Sequence, residues 1–477
     1  MHESDVGPMQ NVRRIHFVGI GGAGMSGIAE VLNNLGYEIS GSDHSSNRMT
    51  QHLQTIGVTV FDHHDEQNIE GSDVVVYSTA IPRDNVELVS ARGKRIPTVP
   101  RAEMLAELMR FRRGIAVAGT HGKTTTTSLI AAILAEAGMD PTFVIGGLVH
   151  SVDSHARLGA GDFLVAEADE SDASFLLLNP LMAVLTNIDA DHMETYGGDF
   201  CRLRTSFIDF FKRLPFYGVA VVCIDDPNAN TMLAELHSRV VTYGTHERAD
   251  IRGFDFRQLA GKSTYKVAQH NSPDILDVTL NMPGEHNMLN SLGAIAVASE
   301  LRVPGEAIVK ALSSFQGIGR RCQWMGETRI GSARVSVIDD YGHHPSEIRV
   351  TVKAVRDSWP GRRLLVAFQP HRYTRTRDLF EDFVDALTTV DALAVLDVYP
   401  AGEEPIPGAD GRALCRAIRL RGKVDPIFVP ELGQFIDVLG GIAKNGDIVL
   451  LLGAGSIGRV AELMQFEPDQ ESPARQE

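Results

Sequence analysis

Lys123 stands in Gly119-Thr120-His121-Gly122-Lys123-Thr124-Thr125, after an apolar run at residues 115–118 and before a stretch rich in Ala and Leu. Glycines let backbone N–H groups converge on phosphate oxygens. A lysine beside them neutralises β- and γ-phosphates, and the next hydroxyl can ligate magnesium. The spacing predicts an ATP loop made of Gly119, Thr120, His121, Gly122, Lys123, Thr124 and Thr125, with Lys123 catalytic and Thr124 on the metal. The match to G-x-x-x-x-G-K-T is incomplete, because its first glycine falls on Val117. The competing reading is a glycine turn with a solvated lysine.

A metal beside such a loop needs acids. The apolar run 163–168 ends in Glu167-Ala168-Asp169-Glu170-Ser171-Asp172, and Glu167 is the first candidate ligand. Asn187-Ile188-Asp189-Ala190-Asp191-His192-Met193 follows another apolar run. His192 is a candidate catalytic residue and a candidate ligand of a second magnesium, although magnesium prefers oxygen and a lone histidine is commonly structural.

A second glycine loop, Gly19-Ile20-Gly21-Gly22-Ala23-Gly24, follows the run 12–20 and precedes helical spacing at 24–35. It fits G-x-G-x-x-G, which brings a diphosphate close to a helix N-terminus. The run 38–42 ends in Ser42 and Asp43, placed to meet a ribose hydroxyl. Gly21, Gly22, Ala23, Gly24, Met25, Ser26, Ser42 and Asp43 are therefore candidates for a nucleotide site. Alone the motif suggests a nicotinamide dinucleotide, but UDP satisfies the same physics, and so does an empty strand–helix turn. Two nucleotide loops in one chain favour ATP-driven chemistry on a substrate that itself carries a nucleotide. A nicotinamide oxidoreductase and a silent UDP-sugar sensor are the rivals from other classes.

Later clusters add polar groups. Met282-Pro283-Gly284-Glu285-His286-Asn287 opens a helix, and Gly319-Arg320-Arg321 comes next. Then follow Asp339-Asp340-Tyr341-Gly342-His343-His344-Pro345 and Phe368-Gln369-Pro370-His371-Arg372-Tyr373-Thr374-Arg375. Each is expected to follow a strand or open a helix, facing a cleft, rather than to decorate a solvated loop. A late G-x-G-x-x-G at 453–458 is read as a tight strand–helix turn.

These residues require elements to hold them. Apolar β-branched runs at 74–79, 115–118, 163–168, 183–188, 219–224, 364–368, 392–398 and 448–452 predict buried strands. Helical spacing at 123–136 and 200–212 fills gaps between them, giving an α/β fold with parallel sheets. Residues 250–280 alternate polar and apolar positions, like a small antiparallel patch. The length suggests three domains, with joints near 111–114 and 315–319: residues 1–112, 113–316 and 317–465. The polar tail 466–477 is expected to fray. A formal charge of −16 argues against a non-specific nucleic-acid binder. Four cysteines without paired spacing predict neither a disulfide framework nor a zinc site, as in a reducing cytoplasm. The opening MHESDVGPMQN lacks the pattern of a secretory signal, and no apolar run approaches the roughly 20 residues that span a bilayer.

Taken in order, HFVGIGGAGMS, GTHGKTTT, EADESDASF, TNIDADHMETY, PGEHNMLN, DDYGHHP and FQPHRYTRTRDL resemble the Mur ligases from His16 to Gly458, within them the alanine-adding branch. The resemblance implies a Rossmann-like N-terminal UDP-binding domain, a central ATPase-type domain, and a Rossmann-like third domain that closes over both. It implies a cytoplasmic enzyme of peptidoglycan precursor synthesis, a monomer or homodimer with no nucleic-acid or membrane partner. The implied reaction uses ATP and magnesium to join L-alanine to the lactyl carboxylate of UDP-N-acetylmuramate through an acyl phosphate. By the same resemblance Thr124, Glu167 and His192 hold magnesium, and Asn287 and Arg320 lie near ATP. Ser78 and Thr79, with His371 and Arg372, touch the UDP-sugar. Tyr341, His343 and His344 position the muramyl group and amino acid, with His343 and Arg372 counted as catalytic. Several sister ligases carry a carbamylated lysine that helps hold a second magnesium; residues 198–206 have no lysine, in keeping with the alanine-adding branch. The nearest rival inside the family is a murein-peptide ligase that attaches a tripeptide to the same acceptor.

Overall fold

The computed structural model describes residues 9, 11–78, 80–149, 154–270 and 272–466. Strands and helices alternate along it, and the strands form three sheets.

The first sheet contains β1 (Arg14–Val18), β2 (Glu38–Ser42), β3 (Thr59–Phe61), β4 (Val74–Tyr77) and β5 (Thr98–Pro100). Their order is β3-β2-β1-β4-β5, and every neighbouring pair is parallel. This is the order of a Rossmann-type half, and chain direction switches sides at β1. The loop leaving the C-terminal end of β1 therefore opens on the crevice where such sheets bind ligands. That loop is Gly19–Gly24 in number, and helix Ala23–Asn34 follows it.

The second sheet contains β6 (Arg113–Ala118), β7 (Thr142–Val149), β8 (Ser154–Arg157), β9 (Phe163–Glu167), β10 (Met182–Leu185), β11 (Val219–Cys223), β12 (Arg239–Gly244), β13 (Ile251–Leu259), β14 (Lys262–Gln269) and β15 (Ser272–Leu280). The order is β15-β14-β13-β12-β11-β10-β6-β9-β7-β8. β6 pairs in parallel with β10 on one side and β9 on the other, so a second switch point falls at its end. β6, β9, β10 and β11 are buried and apolar apart from Arg113 at the start of β6 and Glu167 at the end of β9, as parallel strands inside a sheet are. Val117 lies inside β6 with no exposure, so the phosphate loop begins only at Gly119. The expected antiparallel patch is the β13–β15 run at the sheet edge. Ala260 and Gly261 turn the chain between β13 and β14 with φ of 48° and 79°, as a two-residue hairpin of the primed type requires.

The third sheet contains β16 (Gln323–Ile330), β17 (Ala333–Asp340), β18 (Leu364–Phe368), β19 (Ala392–Leu396), β20 (Ile427–Val429) and β21 (Ile448–Leu452), ordered β16-β17-β21-β18-β19-β20. Only β16 runs antiparallel to its neighbour; the other pairs are parallel. The ends of β17, β18 and β21 lie side by side.

The contacts gather these sheets into two compact units. The first runs through Asp255 and adds Tyr265–Thr279 and Asn287–Gln316. The second takes Phe256–Thr264, Leu280–His286 and the described chain from Gly317. Inside the second unit the β13–β14 turn is tied down by Ala260 N–H, which donates to Ser358 O at 2.9 Å. The first two sheets share one apolar core, from Ile15 and Phe17 through Leu185 to Phe207 and Phe211. The third sheet has a core on each face. Among the described residues no helix is long and apolar enough to cross a membrane. The four cysteines are free. Residues 467–477 of the expected tail lie outside the described residues.

Candidate functional site

The phosphate loop is built on two glycines where a side chain would be strained. Gly119 has φ +132°, and a Cβ there would lie 2.0 Å from Thr186 Oγ1. Gly122 has φ +81°, and its Cβ would meet Asn290 Oδ1 at 2.3 Å. The strand-end segment Thr186–Asp189 holds the loop from the other side. His121 N–H donates to Asn187 Oδ1 at 2.8 Å, Thr186 Oγ donates to His121 O at 2.6 Å, and Asp189 N–H donates to Thr120 Oγ at 2.9 Å. His121 Nε2 lies 3.0 Å from Asp189 Oδ2. The helix Lys123–Glu136 begins at Gly122, with Thr124 to Thr127 buried.

Lys123 Nζ donates to Gly119 O at 2.7 Å, to Thr120 O at 3.1 Å and to Glu170 Oε2 at 2.7 Å. Burial opposes its charge, but Glu170, Asp169 and Glu167 outweigh burial and hold the ammonium above its ordinary range. Burial also pushes Glu170 up, to about 7, with Asp169 adding to the rise and Lys123 opposing it. Glu170 thus takes up a proton as pH falls through about 7, while Lys123 stays charged. Asp169 is held below the usual carboxylate range: burial raises it, and Lys123, Arg101 and Ser171 more than compensate. His192 has φ +53°, and its Nε2 lies 3.6 Å from Asp191 Oδ2.

At the first glycine loop Asp43 organises the turn. Its Oδ2 accepts from Gly21 N–H at 2.9 Å and its Oδ1 accepts from Ser45 N–H at 3.0 Å. Asn47 caps helix Arg48–Thr55 and donates from Nδ2 to Gly21 O at 3.0 Å. Ser42 carbonyl accepts from Gly19 and Ile20 N–H, while its hydroxyl points inward and donates to Glu87 Oε2 at 2.6 Å. Glu87 is fully buried. It also accepts from Asn68 Nδ2 at 2.7 Å, with His64 Nδ1 at 3.3 Å and His16 Nε2 at 3.6 Å. Burial would raise its pKa; the His16 imidazole beside it and the hydrogen bonds from Ser42 and Asn68 win and hold it at about 2.

In the second unit, the ends of β17, β18 and β21 gather a ring cluster. Tyr341 and His343 meet edge to face at 5.4 Å, His343 and His371 lie 5.6 Å apart, and His371 stacks on Tyr399 at 5.4 Å. The guanidiniums of Arg320 and Arg321 each lie 5.2 Å from the Tyr341 ring centre. Arg320 Nε also pairs with Asp339 at 3.2 Å. Burial pushes Asp339 up to about 6 against the pull of Arg320. His343 Nδ1 is 3.4 Å from Glu347, and His344 caps helix Pro345–Ser358. Arg372 has φ +73°; its N–H donates to Tyr399 O at 2.9 Å, and its partly exposed guanidinium lies 3.9 Å from Glu403. His286 is pushed down to about 4 by burial, so it is neutral near pH 7.

Comparison with known proteins fits these three clusters. The Mur ligase family catalytic domain matches residues 14–113, the Mur ligase middle domain matches 117–298, and the Mur ligase glutamate ligase domain matches 320–455. A UDP-N-acetylmuramate–L-alanine ligase of Azoarcus sp. (strain BH72) is 58% identical over 462 residues, which cover 96% of this chain and 99% of that protein. The chain belongs to the Mur ligase family. Among solved structures, a UDP-N-acetylmuramate-alanine ligase from Thermotoga maritima superposes with a TM-score of 0.80 at 28% identity, covering 94% of this chain and 97% of that one. A murein peptide ligase from Psychrobacter arcticus 273-4 shares the fold, with a TM-score of 0.70 at 24% identity over 94% of this chain and 98% of that one.

In this Mur ligase the residues singled out in the sequence fall into three groups. Lys123, Thr124, Glu167 and Asn287 lie in the first unit, as does the strand-end loop with His192. Arg320, Tyr341, His343, His344, His371 and Arg372 lie in the second. Gly21, Gly22 and Gly24 line the end of β1, and Ser78 stands just past β4. Thr79 and the side chain of Ala23 lie outside the described residues. Met25, Ser26 and Ser42 are buried beside the first glycine loop. One expectation needs restating. Gly319-Arg320-Arg321 neither ends a strand nor opens a helix; it sits in the turn before β16, and Arg320 reaches the strand ends by its length. The late 453–458 turn is filled by the chain itself: Gln369 Oε1 accepts from Ile457 N–H at 2.9 Å, and a Cβ on Gly455 would lie 2.7 Å from Tyr399 Cβ. Sequence reasoning passed over Glu170, Asn290 and Glu87. An acid beside Glu167 and an asparagine one helical turn from Asn287 were visible signals for the first two.

Proposed function

We propose that this Mur ligase joins L-alanine to UDP-N-acetylmuramate at the expense of ATP. The observation that carries the reading is Lys123, held charged among three acids at the mouth of a glycine loop that opens from a parallel switch point. Residues 1–112 would bind the UDP-sugar, 113–316 ATP, and 317–465 the muramyl group and amino acid.

A lactyl carboxylate is a poor electrophile. Its oxygen attacks the γ-phosphorus of ATP, forming the C–O–P bond of an acyl phosphate and expelling ADP. The L-alanine amine attacks the acyl carbon, and the tetrahedral intermediate collapses to amide and inorganic phosphate as the amine gives up a proton. Lys123 moves from Glu170 to the transferring phosphoryl group and stabilises its charge. Asn287, braced by Asn290 at 3.3 Å, and Arg320 serve ATP. Arg372, His371, Tyr341 and His343 orient the muramyl carboxylate and the amine, with His344 fixing the helix behind them. Ser78 and the loop 21–26 take the sugar nucleotide.

The donors around Lys123 suit a hard divalent cation. Thr124 and Glu167 offer oxygen beside the acid cluster, and His192 offers a nitrogen that magnesium accepts less readily. Magnesium bound by them would neutralise charge on the β- and γ-phosphates. A cytoplasmic enzyme, monomeric or homodimeric, suits the reaction and its substrates.

ADP release tests the reading. Full release is expected only with UDP-N-acetylmuramate, L-alanine, ATP and magnesium together, and preferential use of a tripeptide over L-alanine would overturn the substrate assignment. Lys123→Met is expected to slow release by roughly 10²-fold or more while UDP-sugar binding survives.

A further inference from the structure

Arg101 opens helix Arg101–Arg110 directly after β5, and nothing in its local sequence marks it as functional. Its side chain is 21% exposed. A Cβ on Gly24 would lie 2.8 Å from Arg101 Nη1, so the guanidinium rests against the first turn of helix Ala23–Asn34, at the first glycine loop. That turn has no acidic residue, and its cap, Gly22, provides no side chain. The turn supplies no acid of its own; Asp43 accepts from Gly21 N–H just before it, and the Arg101 guanidinium stands beside it. On its other side Arg101 Nη2 donates to Asp169 Oδ2 at 3.2 Å. Asp169 directly precedes Glu170, whose Oε2 accepts from Lys123 Nζ at 2.7 Å at the phosphate loop. Two consecutive carboxylates, Asp169 and Glu170, thus answer two cations, one beside each nucleotide loop, within the first unit.

We propose that Arg101 binds the diphosphate of the UDP-sugar, and that the Arg101–Asp169 pair couples occupancy of the two nucleotide sites. The inference rests on the assignment of UDP-sugar to the first loop and ATP to the second. A guanidinium suits a diphosphate because its planar fork donates two parallel hydrogen bonds to phosphate oxygens. A diphosphate at the first loop competes with Asp169 for that fork. Releasing Asp169 moves the neighbouring Glu170 against Lys123, and with it the affinity for the phosphates of ATP. Linkage makes the effect reciprocal.

Calorimetry on the full chain tests both parts, using uridine, UDP, UDP-N-acetylmuramate and a non-hydrolysable ATP analogue. The proteins are wild type, Arg101→Gln, Arg101→Lys, Asp169→Asn and the Arg101→Gln/Asp169→Asn double variant. Arg101→Gln is expected to weaken UDP by about tenfold or more and uridine by less than about twofold. Arg101→Lys keeps the charge and is expected to recover part of the loss, which a merely structural role would not give. In wild type the ATP analogue is expected to change the UDP-sugar Kd by about fivefold or more. That factor is expected to fall within about twofold of unity in both single variants, with the double variant no worse than either. Unchanged UDP affinity in Arg101→Gln, or a coupling factor that survives in the single variants, would overturn the proposal. Failure of wild type to bind UDP-N-acetylmuramate at all would instead overturn the functional reading on which it rests.

Discussion

Burial alone would discharge both Lys123 and Glu87, and in each case the neighbours decide otherwise. Lys123 keeps its proton because Glu170, Asp169 and Glu167 surround it. Glu87 keeps its charge because three segments converge on it: Ser42 and Asn68 donate to it, and the His64 and His16 rings stand beside it. Its folded pKa of about 2 lies below the ordinary 4.5, so the stabilisation it brings is complete above pH 4.5 and is lost as pH falls toward 2. The expected outcome is a melting-temperature gap between wild type and Glu87→Gln that is constant above pH 4.5 and narrows steadily below it. A gap that stays the same down to pH 2.5 would show that the carboxylate carries no such charge. Lys123 was legible from its glycine neighbours. Glu87 was not, because its partners lie 19 to 71 positions away and no local pattern announces them. The choice of Glu170 over Glu167 as the partner of Lys123 was equally hidden, since it depends on how the backbone turns after β9.

Each glycine loop works because a strand ends where its sheet changes direction and a helix begins at once. β1 and β6 read clearly from their β-branched runs, and so did the helices behind them, because a parallel strand buried on both faces leaves no polar alternation to confuse the pattern. The short edge elements were harder. β3, β5, β8 and β20 went unread, because runs of three or four residues carry too little pattern and their pairing is set by partners elsewhere in the chain. The start of the phosphate loop was ambiguous in sequence and is settled by Val117 completing β6. Gly122 shows how tightly loop and helix are joined. Gly122→Ala would place a Cβ against Asn290 at a φ of +81°. It is expected to cost about 1–3 kcal/mol of stability and to weaken ATP binding far more than UDP-sugar binding. A variant that melts like wild type and binds the ATP analogue normally would contradict the loop geometry.

Across the whole chain, a net charge of −16 coexists with local cations held by acids: Lys123 and Arg101 in the first unit, Arg320 and Arg372 in the second. Acids hold each of them in place: Glu170, Asp169, Asp339 and Glu403. The alternation of strand and helix was readable throughout, but the grouping into two units was not. Phe256–Thr264 and Leu280–His286 group with the second unit through contacts such as Ala260 to Ser358, which no sequence boundary marks. The account stands on the carboxylate of UDP-N-acetylmuramate being activated by phosphorylation before the amine attacks. Labelling that carboxylate with ¹⁸O and running one complete turnover with L-alanine and ATP tests this directly. An acyl phosphate predicts one ¹⁸O in each inorganic phosphate released and one retained in the amide carbonyl. Phosphate free of label, with amide formed, would contradict it.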